Sequence, residues 1–441
     1  MDSQPATRES DILYDRARHI VPAGVHSNSR HRPPHALYFT QAEGCCLTDV
    51  DGRRVTDLVM GNGAVILGYR DKAVTEALRA ALDRGLGAGV ESPLSIEAAT
   101  AVAALLPDGM QVRFTNTGTE AAMHLAHIAR ARTGRPSLAK VEGSYHGWYD
   151  PLNVSFLPPA DAAGPQAAPA SVPGSGGDDM RWAADTLVLP HNDADAAERL
   201  LREHAGRLAA VFVEPVLIDA GYIPCQRDFL ERLRSVTAEL GIMLVFDELL
   251  TGARQPGGTV ARELGAVDAV MLGKAIANGM PVAALAARPE WFEVALPGGP
   301  SAFVGTFNGH ALGLAAVVAT LDRLRDGAVQ RDLAAATNRL RLAFGEAAAR
   351  VGIPAVLNGG GGHFQWYFGR TSVDRYRNLW DLDAGAGRAF AEALGEDGFF
   401  TAPGVAAHQA ISFAHLTGEV DRLCAAFGPA LERAARAWDG R

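Results

Sequence analysis

The chain predicts an α/β fold: a mostly parallel sheet wrapped by helices, with a smaller α+β part assembled from the two ends. Three observations carry this. Between residues 111 and 287, short apolar runs alternate with amphipathic stretches, as repeated strand–helix units require. Several of the runs are continuous rather than alternating, which suits strands covered on both faces. Thr117, Glu214, Asp247 and Lys274 all fall where such a run stops, at the end where open sheets of this kind bind ligands.

"QVRFTN" reads as the first strand. "GTEAAMHLAHIARARTG" follows as a helix, closed by Gly134 because glycine accepts the left-handed cap conformation. "SLAKVEG" and "DTLVLP" are strands separated by residues 157–181, whose "AAGPQAAPASVPGSGG" suits neither element. Strand–helix units continue on both sides, so a mobile lid is expected there rather than a domain boundary. "ADAAERLLREHAG" is helical, "LAAVFVEPV" a strand, "RDFLERLRSVTAELG" a helix and "IMLVFDELL" a strand; "AVMLGK" and "PVAALAAR" complete the set. The Asp-Gly pair in "CCLTDVDGRRVTDLV" marks a hairpin. A length of 441 residues argues for more than one core. Residues 1–59 and 325–441 are expected to build the small part together, and 60–324 the large one.

A net charge of −9 gives no basic footprint for nucleic acid or anionic lipid. No run of about 18 apolar residues suits a membrane span, and "MDSQPATRESDILYDRARHI" lacks the apolar centre of a signal peptide. Cys45, Cys46, Cys225 and Cys424 have no metal-ligand spacing, and a bridge between the adjacent pair would be strained. Reduced thiols, a cytoplasmic location and small-molecule substrates are the expectation.

The strand ends raise a sharper question. In "AVMLGKAIANGM" the run Ala269–Leu272 is apolar and Lys274 sits where it stops. An unpaired ammonium is costly to bury, so the side chain either reaches solvent or has chemistry to perform. Asp247 of "VFDELLTGAR" ends another buried run and needs a partner, as a helix cap or as a ligand contact. "FTNTGTEAAMHLA" places Thr117, Gly118 and Thr119 at a helix N-terminus, where free amides suit a phosphate or Thr117 simply caps the helix. "EGSYHGWYD" sets Tyr145 and His146 in a glycine-framed loop that stacks on a planar ring or packs under the lid. Together these pieces specify one molecule: a planar aromatic cation bearing a phosphate and an aldehyde. Asp247 would hold a protonated pyridine nitrogen, and Thr117, Gly118 and Thr119 the phosphate. Tyr145 or His146 would cover one ring face and Leu249 the other. Lys274 would take the aldehyde as an imine, which carries no obligatory ammonium and so tolerates burial, with Gly273 and Gly279 leaving room. That molecule is pyridoxal 5'-phosphate.

"LTDVDGRRVTDLV", "NTGTEAAMHLA", "EGSYHG", "VEPV", "VFDELLTGAR", "MLGKAIANGMPVAALAAR", "GTFNGH" and "SFAHLTGEVDR" span nearly the whole length. In that order they resemble the class III (fold-type I) pyridoxal-phosphate aminotransferases, in the branch around glutamate-1-semialdehyde aminomutase and β-phenylalanine aminotransferase. The resemblance implies that Lys274 is the catalytic imine lysine and Asp247 the pyridinium partner. It implies that Thr117, Gly118 and Thr119 bind phosphate, that Tyr145 stacks, and that Glu214 lies near the cofactor's phenolic oxygen. Thr306 would reach the phosphate of a neighbouring subunit, so a homodimer with active sites at the interface is expected. Ser27 and Arg30 of "VHSNSRHR" align with the family's carboxylate-binding serine and arginine, although the stretch also reads as a solvated basic surface.

Departures from the aminomutase pattern shape the functional expectation. Asn62 stands in "GNG" where that branch has a tryptophan, and alanine stands near Ala406 or Ala407 where it has a glutamate. "VEPVLIDAG" and "GTFNGHA" also differ close to the site. The expectation is transfer of an amino group between an amino acid or related amine and a keto or aldehyde acceptor. The alternatives are a pyridoxal-phosphate isomerase, either aminomutase or amino-acid epimerase, and a binding protein that keeps the fold without the chemistry.

Overall fold

The computed structural model describes residues 8–32, 34, 36–87, 89–265, 267–404 and 406–438. The apolar runs become seven strands: β1 (Gln111–Thr115), β2 (Ser137–Val141), β3 (Leu187–Leu189), β4 (Leu208–Val213), β5 (Met243–Asp247), β6 (Ala269–Gly273) and β7 (Ala283–Ala287). Across the sheet they lie in the order β1-β7-β6-β5-β4-β2-β3. From β6 to β3 every pairing is parallel, whereas β7 runs antiparallel to both neighbours. The reversal has a simple cause. Too few residues separate β6 from β7 for a helical crossover, so the chain must turn back.

Every residue of β2, β4, β5, β6 and β7 is buried, which explains their continuous hydrophobicity. Successive side chains alternate between two cores. Val211, Val213, Leu244, Phe246, Val270 and Leu272 pack with the helices Ala194–His204 and Arg227–Leu240. Ala210, Phe212, Met243, Val245, Ala269 and Met271 pack under helix α1 (Gly118–Thr133). This helix begins at Thr117, whose hydroxyl accepts the Glu120 amide while the Glu120 carboxylate accepts the Thr117 amide. It ends at Gly134, left-handed at φ 69°.

The chain ends build a second assembly. Strands Phe39–Glu43, Cys46–Asp49 and Arg54–Asp57 form an antiparallel ribbon. The expected Asp-Gly turn joins the last two, with Gly52 at φ 83°. Phe399–Phe400 adds a fourth strand parallel to Thr56–Asp57. A three-stranded sheet of Ala355–Gly360, His363–Phe368 and Gln409–Ala410 lies nearby. Phe344, Phe390 and Phe427, from the three long C-terminal helices, meet edge-on or stacked at its core.

Residues 157–181 do not form the expected free lid. Ser155 accepts the Val172 amide and donates its hydroxyl to the Ala170 carbonyl, while Gly174 donates to the Asn153 carbonyl. Arg377 reaches the carbonyls of Ala163, Gly164 and Pro165 while gripping Glu142 with two bonds of 2.9 Å. Composition excludes regular structure here, but long-range contacts pin the segment down. Among the described residues no helix is long and apolar enough to cross a membrane, and all four cysteines are free.

Candidate active site

The strand ends converge on a cavity of about 320 Å³ lined by Thr117, Gly118, Thr119, Tyr145, Glu214, Asp247, Leu249 and Lys274. A larger cavity of about 1270 Å³ near the N-terminal ribbon contains none of these residues.

Lys274 follows β6 directly and opens a short turn, Lys274–Ala277, with φ of 49°. A long side chain in this left-handed region costs about 1–3 kcal/mol, and such strain gathers at functional sites. The adjoining turn is fixed from outside. Asn278 accepts the Leu67 amide at 2.9 Å and donates to the Gly68 carbonyl at 3.0 Å.

Asp247, at the end of β5, is buried, with Oδ2 2.8 Å from His146 Nδ1 and Oδ1 accepting the Leu249 amide. A carboxylate can only accept, so Nδ1 carries the imidazole proton. His146 therefore stands behind Asp247, fully buried, and does not line the cavity. Of the two side chains considered for a ring face, only Tyr145 does. Burial pushes the His146 pKa down, against the pull of Asp247, which keeps the imidazole a neutral donor.

Leu249 is clasped between two glycines. A Cβ on Gly118 would come within 2.3 Å of one Leu249 methyl, and a Cβ on Gly273 within 2.6 Å of the other. Both glycines therefore exist to admit Leu249 to the cavity wall. Glu214 accepts the Tyr145 amide at 2.7 Å and the Ile218 amide at 3.3 Å. Burial, Asp247 and Asp219 raise its pKa well above the ordinary carboxyl range. Lys140 lies fully buried in β2, donates to the Ser144 carbonyl at 2.6 Å, and is brought down to about 7 by burial.

Four anticipated residues lie elsewhere. Ser27, Arg30, Asn62 and Thr306 are exposed and absent from the cavity wall. Asn62 sits in a left-handed turn at φ 54°, and the Ser27 hydroxyl lies 3.0 Å from that of Ser29. Conversely, sequence reasoning passed over Asp219, which lines the cavity and pairs with His408 at 3.3 Å. The signal was present: an acid within the apolar stretch after β4, in the altered "VEPVLIDAG" motif.

The sequence profile of the family described as aminotransferase class-III matches residues 27–361. The chain belongs to the class III aminotransferases. It is similar to a glutamate-1-semialdehyde 2,1-aminomutase of Thermomicrobium roseum, 35% identical over 97% of this chain and 99% of the relative. Among solved structures it is similar to an omega-transaminase from Sphaerobacter thermophilus, with a TM-score of 0.90 and 32% identity over 97% and 98% of the two chains. A β-phenylalanine aminotransferase from Variovorax paradoxus gives a TM-score of 0.83 and 28% identity over 95% and 93%. The protein is thus a class III aminotransferase-family enzyme of fold-type I that uses pyridoxal 5'-phosphate and acts on small molecules. The cavity suits that cofactor: a lysine, a buried acid with its own hydrogen-bond donor and a helix N-terminus share one wall.

Proposed function

We propose that the protein is an aminotransferase that moves an amino group from an amino acid or related amine to a keto or aldehyde acceptor, with Lys274 as the residue that attaches the cofactor. The observation that carries this reading is the strained Lys274 facing the same cavity as Asp247 and the N-terminus of α1. Bound pyridoxal phosphate supplies an electron sink for charge developing on the substrate carbon.

The chain's own groups divide the remaining work. Asp247 would hold a protonated ring nitrogen, and His146 keeps its carboxylate aimed. The hydroxyls of Thr117 and Thr119 and the first amides of α1 receive the phosphate, where the helix dipole favours negative charge. Tyr145 covers one ring face and Leu249 the other. Glu214, its pKa raised by burial and by the neighbouring acids, would lie near the phenolic oxygen. Lys274 Nζ, facing the same cavity, would be placed to take the proton from the substrate carbon and return it. Replacing Lys274 with Ala is expected to abolish turnover and the protein-bound visible absorbance band. A variant that keeps normal activity would sink the assignment.

Ser27, Arg30 and Asn62, outside the cavity wall, are proposed as substrate contacts on the family resemblance. Arg30→Ala should raise KM for carboxylate-bearing donors, and an unchanged KM would remove Arg30 from the site. Thr306 is proposed to serve the phosphate of a second subunit, which makes the enzyme a homodimer. The exposure of its neighbours Val304 (74%) and Phe307 (61%) supports a covering partner. Phe307→Glu is expected to shift the light-scattering mass from dimer to monomer and to loosen cofactor retention. The free cysteines favour a reducing, cytoplasmic setting.

The relative's name favours a second reading, in which the amine returns to the same molecule. Asn62 and the alanines at 406 and 407, standing where the aminomutase pattern differs, favour transamination instead. Consumption of a second carbonyl compound separates the two: a transaminase requires it, and an isomerase turns over without it.

A further inference from the structure

Three stretches that depart from the aminomutase pattern lie far apart in sequence, yet the structure brings them together beside Lys274. They are "GNG", "VEPVLIDAG" and the described part "AAHQ" of the last. We propose that Asp219, held in place by His408, is a specificity-determining residue that selects amine donors bearing a second ammonium group near the reacting one, and rejects a carboxylate there. The proposal rests on the transaminase reading.

The cluster is built in layers. Asp219 shares the cavity wall with Lys274. Its Oδ1 lies 3.3 Å from Nδ1 of the buried His408. Behind His408 stands His363, edge-on, with ring centroids 5.0 Å apart. His363 occupies the space that a side chain at position 63 would need, since a Cβ on Gly63 would come within 2.1 Å of its Cε1. Arg254, buried as well, fixes the Gly63 carbonyl at 2.7 Å. Glycine in "GNG" thus admits His363, His363 backs His408, and His408 holds Asp219.

Asp219 shares the cavity with the groups assigned to the cofactor, while His408, His363 and Arg254 stand behind it, outside the wall. It is a costly arrangement. The second ring nitrogen of His408 and both nitrogens of His363 have no hydrogen-bond partner among the described residues. What the layers achieve is a fixed carboxylate in the cavity wall beside Lys274. Burial alone would raise the Asp219 pKa; His408 pulls it down against that, and so does Lys274 while its amine is free. Of the other acids in the wall, Asp247 is engaged by His146, and Glu214 accepts two backbone amides and has its pKa raised by burial. Lys274 is the sole lysine or arginine among the described lining residues, so no fixed cation there would receive a second substrate carboxylate. A second ammonium on the donor meets an opposite charge, and a carboxylate meets a like one. Like-charge contact is an effective means of rejecting a competitor.

The test compares kcat/KM of the holoenzyme for 2,3-diaminopropionate and for aspartate, which share an amino-acid head and carry tips of opposite charge. The wild-type ratio is expected to favour the diamine. It should fall by about tenfold or more in Asp219→Asn, fall less in His408→Phe, and persist in Asp219→Glu. A merely structural role would depress both donors together. An unchanged ratio in Asp219→Asn, or a wild-type preference for aspartate, overturns the proposal. Choline, a cation with no reactive amine, gives a readout independent of turnover. Its calorimetric Kd for the holoenzyme should weaken about tenfold in Asp219→Asn. If neither donor gives up its amine while choline still binds through Asp219, the transaminase reading falls, donor selection falls with it, and only a cation site at Asp219 is left. Choline binding that ignores Asp219, alongside normal transamination and an unchanged ratio, overturns donor selection alone.

Discussion

Two aspartates face the same lysine and answer to different neighbours. Asp247 is fixed by His146 from behind, whereas Asp219 is fixed by His408 from the C-terminal region. Both histidines act through a carboxylate rather than on a reactant. Replacing His146 with Phe should therefore leave Asp247 buried without its charge-assisted bond, weakening cofactor binding by about tenfold or more. Equilibrium dialysis checks this, and undiminished retention would show that Asp247 holds itself. A third histidine has a purely structural part. His415 Nδ1 accepts the Ser412 amide and Nε2 donates to the Asp57 carbonyl, both at 3.0 Å. Burial brings its pKa down to about 4. Above pH 6.5 the ring is neutral folded or unfolded, and the contribution is complete. As pH falls toward 4 the unfolded chain takes up the proton first, so stability drops by about 3 kcal/mol. The denaturant midpoint should decline over that window more steeply in the wild type than in His415→Gln. At this scale the sequence disclosed charges that end apolar runs, which is how Lys274 and Asp247 stand out. It concealed pairs such as Asp219 and His408, because nothing local marks two residues that meet only after the chain ends have packed.

At the scale of elements, the clasp around Leu249 makes a sharp prediction. Gly118→Ala adds a methyl 2.3 Å from a Leu249 methyl, at a helix position where alanine is otherwise welcome. Leu249 must then move into the cavity and compete with the cofactor ring. Cofactor affinity should fall several-fold, and Leu249→Ala in the same chain should restore much of it. The coupling appears as non-additivity in a double-mutant cycle; strictly additive effects would mean that the two residues do not compete for space. The strands and α1 were legible because hydrophobic run length, cap chemistry and the closing glycine all agree locally. The segment 157–181 was misjudged for the opposite reason. Its composition forbids helix and strand, but its fastening comes from Arg377, about two hundred residues later, and no local pattern announces that.

At the scale of the molecule, the broad plan was readable because alternating strands and helices admit few arrangements. We propose domain limits near residues 60 and 324, with both ends of the chain contributing to one smaller unit. One pairing there bears on how the protein is made. Phe399–Phe400 lies parallel to Thr56–Asp57, so a ribbon begun in the first sixty residues gains its last strand from near the C-terminus. On the ribosome the early segment must wait, incomplete and with an open edge, until residue 400 has emerged. Maturation is therefore paced by the arrival of that distant strand, and nascent chains stalled short of it would expose a sticky margin for chaperones to guard.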